Sequence, residues 1–175
     1  MAAAAGLPEA RVAAELDRWP LAFRDERGDV IGYAGLTVRQ MGEHRVHVDG
    51  RSLSTWCAYD TLFLPELLGQ TVGVTSRCPT TGTQISLTVG AGGVRDLQPA
   101  EAVVSFLAPD TVFDDSVIQS FCQYVHFFAC EDAAATWTST HEGTFAIPVD
   151  DAFEVGRRVN RARFGQALDE RTGSA

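Results

Sequence analysis

The sequence predicts an α+β fold: one compact domain with a mixed or antiparallel sheet flanked by helices. Two observations support this class. Short runs of strand-forming residues cluster in the middle of the chain, between helical patterns, without the regular strand–helix alternation of a parallel sheet. The chain has 175 residues, 45% of them hydrophobic and 21% charged, which is ordinary for a single globular domain.

The N-terminal part, residues 1–40, is predicted to form a helix followed by a hairpin. Pro8 can begin a helix whose apolar residues recur with helical spacing, and Pro20 ends it. Residues 21–24 and 30–33 flank a turn-forming stretch and indicate two paired strands. A helix followed by a hairpin is also the end of a winged helix, so we interpret this part as a shortened winged-helix remnant that serves as scaffold.

Residues 41–170 are predicted to form the α+β core, and residues 171–175 a disordered tail. In the core, Ser52 or Ser54 is predicted to cap a helix that runs through Leu64. Pro65 should end or kink that helix, and Gly69 should close it. The other elements predicted are strands at 46–48, 72–75, 85–89 and 103–107, strand formers at 124–129, and helices around 117–121 (capped by Asp114 or Ser116), 132–140 and 150–168.

The charge and the N-terminus limit the classes of function. The net charge of −9 and the absence of a basic stripe disfavour nucleic-acid binding. The N-terminus lacks the basic start and apolar stretch of a signal peptide, and no apolar run reaches the length of a membrane span. We therefore expect a cytoplasmic protein whose four cysteines stay reduced, which favours roles in packing, metal binding or catalysis.

Cys57 and Asp60 are the first candidates for chemistry. Three residues apart on the predicted helix, they share one face of it. If Ser54 is the cap, Cys57 lies in the first turn, where free backbone N–H groups favour a thiolate. The apolar neighbours of Asp60 should raise its pKa and let it hold a proton near neutral pH. The alternative is a buried inert thiol beside a solvated carboxylate, which is common for free cysteine, so the spacing alone does not decide.

The other candidates are weaker when taken alone. Cys122 lies among apolar residues and fits a buried inert thiol. Cys78 stands in what looks like half of a zinc ribbon, but no second C-x-x-C completes it, so we expect it to pack a turn. Cys130 follows a predicted strand, with no further indication. Residues 90–93 are glycine-rich without the motif of a phosphate-binding loop, and the four histidines lack metal-ligand spacing.

One segment carries a family resemblance. Trp56-Cys-Ala-Tyr-Asp-Thr-Leu62, followed by Pro65 and Gly69, resembles the signature of the organomercurial (alkylmercury) lyases. The similarity spans most of residues 8–165 and continues through Gly28–Tyr33, Gly35–Thr37, Ser76–Cys78, Thr81–Gly82, Ser120–Cys122 and Val125–Phe128.

The resemblance implies a function and a site. The family's catalytic cysteines fall on Cys57 and Cys122, its catalytic aspartate on Asp60, and its structural cysteine on Cys78. Mercury is a soft cation that prefers thiolates. Two thiolates would make the mercury-bound carbon basic, and Asp60 would pass it a proton taken from a thiol. The products would be a hydrocarbon and Hg(II) held by Cys57 and Cys122 with Asp60 nearby.

The resemblance also implies partners. It predicts no organic cofactor, an organomercurial substrate, low-molecular-weight thiols that release the mercury, and a mercuric reductase as a possible acceptor in mercury detoxification. Two departures stand out: family members commonly have a longer N-terminus, and many have a second cysteine where this chain has Gln123.

Two other functions remain open from the sequence. A non-catalytic protein could bind Hg(II) or another soft metal through the same two thiols; Asp60 argues against it, because capture needs no proton donor. A metal-responsive regulator built on the winged-helix remnant is disfavoured by the acidic charge.

Overall fold

The computed structural model describes residues 6–18, 22–108 and 120–172. In this part of the chain the helices are α1 (Glu9–Asp17), α2 (Asp60–Leu68), α3 (Glu131–Thr138) and α4 (Val149–Thr172), with a 3₁₀ turn at Cys122–Tyr124. The strands are β1 (Ala22–Arg24), β2 (Val30–Tyr33), β3 (Leu36–Thr37), β4 (Arg45–Val48), β5 (Arg51–Thr55), β6 (Val72–Arg77), β7 (Gln84–Gly90), β8 (Gly93–Gln98), β9 (Val103–Leu107), β10 (Phe127–Phe128) and β11 (Thr144–Pro148).

The described strands form two antiparallel sheets. The larger sheet has the order β1-β2-β3-β5-β4-β6-β7-β8, and the smaller has the order β10-β9-β11. Every strand pair in them is antiparallel. Helices pack beside the sheets without alternating with the strands. The predicted α+β class is therefore confirmed, and the sheet predicted as mixed or antiparallel is antiparallel in the described residues.

The hydrophobic core joins the two sheets and the helices. In β7 the alternating residues Ile85, Leu87 and Val89 are buried, as expected for a strand with one face on the core. Strand β9 is buried at all five positions, because β10 and β11 pair with its two edges and the core covers both faces. This central strand brings the chain close to the segment around Cys122.

The predicted cap at Ser52 or Ser54 is wrong. Both serines lie in β5, which follows the turn at Asp49–Gly50 and pairs with β4 as a hairpin. The Ser54 hydroxyl accepts hydrogen bonds from the Met41 backbone N–H at 3.2 Å and from the Arg45 side chain at 2.7 Å, so it is not available to cap a helix. Helix α2 begins only at Asp60.

Pro65 does not end the helix, which continues to Leu68. Tertiary packing outweighs the lost donor: the buried Asn160 side chain of α4 donates to the Phe63 carbonyl and to Glu66. Gly69 closes the helix as predicted, with a left-handed φ of 67° and its N–H bonded to the Glu66 carbonyl.

Most of the remaining strand and helix predictions hold, with boundaries shifted by a few residues. The N-terminal helix, the hairpin β1–β2, β4, β6, β7, β9, α3 and α4 are confirmed. The sequence reasoning missed β3, β8 and β11, and between 124 and 129 only two residues form a strand. Residues 19–21, the predicted caps Asp114 and Ser116, and most of the predicted helix at 117–121 lie outside the described residues, as do residues 173–175.

The short hairpin β1–β2 continues through β3 into the eight-stranded sheet. The division of the chain at residue 40 and the winged-helix interpretation stay predictions. In the described residues, none of the helices combines the length and apolar character needed to cross a membrane.

Candidate active site

Cys57 and Asp60 are held together by a tight turn between β5 and α2. The Cys57 backbone N–H donates to Asp60 Oδ2 at 2.8 Å, and the Thr55 hydroxyl donates to the Cys57 carbonyl at 2.9 Å. Cys57 and Asp60 are therefore close, as predicted, but not because they share a helix face. The Asp60 carboxyl reaches back from the start of α2 to the Cys57 N–H, like the return hydrogen bond of a capping box.

Gly35 makes room for the carboxyl of Asp60. The Gly35 carbonyl accepts the Trp56 N–H at 2.9 Å, which brings the loop after β2 against the site. A Cβ atom at Gly35 would lie 2.6 Å from Asp60 Cγ, and its φ of +97° is a backbone region that L side chains rarely adopt. Residue 35 must therefore be glycine for Asp60 to keep its position, a role that the sequence reasoning missed.

Cys122 reaches the same place from 65 residues further along the chain, on the 3₁₀ turn. The Ala58 N–H donates to the Val125 carbonyl at 3.1 Å and joins the two cysteine-bearing loops. The Cys57 and Cys122 sulfurs and a carboxylate oxygen of Asp60 all lie within 4.8 Å of one another. The structure thus brings together the three residues that the sequence singled out.

Burial controls the protonation of this cluster. Cys57, Cys122 and Asp60 are 1%, 4% and 6% exposed. Burial raises the pKa of Asp60 to about 7, although hydrogen bonds from the Cys57 backbone and thiol and from the Trp56 N–H oppose the shift. The predicted rise in the pKa of Asp60 is therefore confirmed, and its cause is desolvation.

The prediction of a thiolate at Cys57 is wrong. Burial raises the pKa of this thiol well above its usual value, and the hydrogen bond with Cys122 and the charge of Asp60 add to the effect. The expected help from a helix N-terminus is missing because Cys57 precedes the helix by three residues. The resting site therefore holds a protonated Cys57 thiol hydrogen-bonded to a carboxyl that titrates near neutral pH.

The other two cysteines lie outside this cluster; among the described residues, the grouping of possible metal ligands contains only Cys57, Asp60 and Cys122. Cys78 is buried in a turn closed by its N–H to the Thr83 carbonyl at 2.8 Å and by the Gly82 N–H to its own carbonyl at 2.9 Å. Cys130 is half-buried directly before α3. His126 is half-buried and bonds through Nε2 to the Gln123 carbonyl at 2.8 Å.

Fold and site together define a class of protein. Two thiols and one carboxyl, buried and in contact, form a donor set that suits a soft, thiophilic cation. It lacks a fourth side-chain ligand among the described residues, unlike a structural zinc site. The molecule is an α+β protein with a buried dithiol–carboxyl centre that can bind a soft metal and move a proton beside it.

Comparisons with known proteins agree with this class. The family model described as alkylmercury lyase matches residues 38–161. The alkylmercury lyase of Pseudomonas putida is 48% identical over 149 residues, which cover 85% of this chain and 68% of that protein. The alkylmercury lyase of Staphylococcus epidermidis is 42% identical over 167 residues, covering 95% of this chain and 75% of that protein.

A solved structure supports the fold. The mercury-bound form of MerB2 superposes with a TM-score of 0.70 at 26% identity, covering 87% of this chain and 73% of that one. The chain belongs to the alkylmercury lyase family.

Proposed function

We propose that this protein is an organomercurial lyase that cleaves the carbon–mercury bond by protonolysis, giving a hydrocarbon and Hg(II). Family membership supports the reaction. The single observation that carries it for this chain is the contact of the Cys57 thiol, the Cys122 thiol and the Asp60 carboxyl within 4.8 Å, since both halves of the reaction then have their groups in one place.

The first step is capture of the substrate by Cys57. The thiol is protonated at rest, and a mercury cation that binds its sulfur makes the proton strongly acidic. Asp60 receives that proton, because its carboxyl is already hydrogen-bonded to the Cys57 thiol. A new S–Hg bond replaces the S–H bond, and Asp60 becomes neutral.

The second step is attack by Cys122 on the same mercury. Its sulfur forms a second S–Hg bond as its S–H bond breaks, and the proton leaves on the low-molecular-weight thiolate that carried the organomercury cation into the site, so mercury carries two thiolates and the organic group. Thiolate donation increases the electron density on the mercury-bound carbon. The carbon becomes the strongest base near the neutral Asp60 carboxyl.

The third step is proton transfer from Asp60 to carbon. The electron pair of the C–Hg bond becomes the new C–H bond, the hydrocarbon leaves, and Hg(II) remains on Cys57 and Cys122. A carboxyl with a pKa of about 7 suits both roles at neutral pH, since it can take a proton from a thiol and return it. The buried site excludes bulk water from competing for that proton.

The proposed cycle also includes the release of Hg(II) from the site. No organic cofactor takes part in the steps above, and low-molecular-weight thiols exchange with the two cysteines to remove Hg(II). A mercuric reductase is the proposed acceptor, and the cytoplasm the proposed place of this detoxification. The predicted core at 41–170 would then be the catalytic part of the chain.

The test is turnover in D₂O with phenylmercury and excess glutathione. Protonolysis by exchangeable groups should release benzene carrying one deuterium, with Hg(II) recovered as the thiol complex. The matched control is Cys57→Ser, which keeps the size of the residue and loses the soft ligand. Stoichiometric mercury binding without benzene would show capture alone and would contradict the proposed reaction.

A further inference from the structure

Ser105 is the polar residue of β9, whose four other residues are apolar and buried. A buried hydroxyl is costly unless it is hydrogen-bonded, so its presence in this strand needs an explanation. The Ser105 hydroxyl donates to the Tyr124 carbonyl at 2.7 Å and accepts the His126 N–H at 3.0 Å. The backbone N–H of Ser105 also donates to the His126 carbonyl at 3.0 Å.

These bonds hold both sides of Val125, whose side chain is fully buried. Its N–H donates to the Cys122 carbonyl at 3.2 Å, and its carbonyl accepts the Ala58 N–H at 3.1 Å. A continuous set of bonds therefore runs from β9 through residues 124–126 to Cys122 on one side and to the residue after Cys57 on the other.

We propose that Ser105 is a positioning residue for the dithiol site: it fixes segment 124–126, and thereby sets the separation of the Cys57 and Cys122 sulfurs. Two thiolates must meet one mercury atom, so a small displacement of the Cys122 turn weakens the second S–Hg bond. The Ser105 hydroxyl acts through the backbone, since its hydrogen bonds join it to the Tyr124 carbonyl and the His126 N–H. The turnover part of this inference rests on the proposed function, whereas the Hg(II)-binding part does not.

The test compares Ser105→Ala with Ser76→Ala. Ser76 is a matched control, because it is also a buried strand serine, bonded at 2.8 Å to His44 rather than to the cysteine loops. Each protein is titrated with HgCl₂ against glutathione, and the ultraviolet thiolate-to-mercury absorption reports the bound fraction. Ser105→Ala should hold Hg(II) about 10–100-fold more weakly, the range for groups that orient metal ligands. Ser76→Ala should bind it like the parent.

Turnover of phenylmercury gives a second readout. Misplacement of a reacting group can cost about 10²-fold, so kcat of Ser105→Ala should fall by about that factor. Ser105→Thr, which keeps the hydroxyl, should restore most of both Hg(II) retention and kcat. A folded Ser105→Ala protein with parental Hg(II) affinity, or equal losses in Ser105→Ala and Ser76→Ala, would overturn the proposal. If the parent binds Hg(II) and releases no benzene, the proposed function fails while the positioning role is still judged on binding.

A second variant covers the case in which Ser105→Ala does not fold. His126→Phe keeps an aromatic ring at position 126 and removes the hydrogen bond from Nε2 to the Gln123 carbonyl. That bond lies next to Cys122, on the more exposed side of the turn. The variant should weaken Hg(II) retention in the same direction by a smaller factor. Unchanged retention in this variant would overturn the proposal in that case.

Discussion

Cys57 and Cys78 are each 1% exposed, but Cys57 lies deep in the core and Cys78 lies in a turn nearer the surface, and their thiol pKa values shift in opposite directions. Cys57 faces a second thiol and a carboxyl, and burial, the Cys122 hydrogen bond and the Asp60 charge raise its pKa. At Cys78 burial also opposes the thiolate, but hydrogen bonds from the Thr81 hydroxyl and from nearby backbone N–H groups outweigh it and lower the pKa.

A low thiol pKa therefore does not locate the proposed active site. Reactive cysteines are usually identified by a depressed pKa, a criterion that would select Cys78. Hydrogen-bond donors surround the Cys78 sulfur, but among the described residues Cys78 is not part of the ligand cluster formed by Cys57, Asp60 and Cys122. Mercury itself deprotonates the thiol that binds it, so a pair of thiols beside a proton acceptor matters more than a preformed thiolate.

The largest expected effect on turnover and Hg(II) binding comes from replacing Cys57 rather than Cys78. Cys57→Ser should abolish both organomercurial turnover and tight Hg(II) binding, because a hydroxyl is a hard, weak ligand for mercury. Cys122→Ser should do the same. Hydrocarbon release and the thiolate–mercury absorption measure the two losses, and a Cys57→Ser enzyme that still turns over organomercurials would contradict the role assigned to Cys57.

Gly35→Ala should give the next largest effect. The new methyl group would collide with the Asp60 carboxyl, so the carboxyl must move away from the Cys57 thiol. We expect kcat to fall by about 10²-fold, the cost of a displacement near 1 Å. Gly82→Ala is a control, since it also has a positive φ, of +71°, but no atom within 4 Å of the added Cβ. Equal kcat values in the two variants would show that Asp60 tolerates the displacement.

Stability against pH should show the energetic cost of keeping Asp60 buried. Unfolded, this carboxyl ionises near its ordinary pKa of 3.8; folded, it keeps its proton up to about 7. The folded state therefore binds more protons between these values, and its stability falls as pH rises through that window. Three pKa units correspond to about 4 kcal/mol, which is the largest penalty expected from this carboxyl.

Asp60→Asn should remove that penalty. The variant should match the parent near pH 4 and exceed its free energy of unfolding by up to about 4 kcal/mol at pH 8. Urea denaturation at each pH measures the difference. Burial lowers the pKa of His44 to about 3, so this histidine destabilises the folded state as pH falls below about 6.5. The effect is the same in parent and variant and cancels in their difference. Parallel curves for parent and variant would contradict the raised pKa of Asp60.

Cys78→Ser should give the smallest effect. The buried donors around the sulfur can also bond a hydroxyl, so we expect a loss of about 1 kcal/mol in unfolding free energy. Turnover per folded molecule should stay near the parental value. A folded Cys78→Ser protein without activity and without Hg(II) binding would show that Cys78 belongs to the site.

The sequence predicted features that depend on neighbouring residues in the chain, and it did not predict features that depend on residues far apart in the chain. The raised pKa of Asp60 followed from local apolar neighbours, and the confirmed strands from alternating residues. The position of Cys122 beside Cys57 depends on β9 and on the Ala58–Val125 bond, and only the family resemblance predicted it. Ser54 suggested a helix cap because its pairing with β4 is not visible locally. The role of Gly35 needs the folded position of Asp60 and could not be predicted.

Asp60→Asn, assayed for mercury capture and for C–Hg cleavage in the same sample, separates the role of the carboxyl from that of the two thiols. In the proposed reaction two thiols bind mercury, and a neighbouring carboxyl supplies the proton that cleaves the carbon–mercury bond. The variant should bind Hg(II) with parental stoichiometry through Cys57 and Cys122, and release hydrocarbon about 10²–10⁴-fold more slowly, the usual contribution of a general acid–base group. Undiminished hydrocarbon release would mean that the proton comes from water or a thiol, and would contradict the role assigned to Asp60.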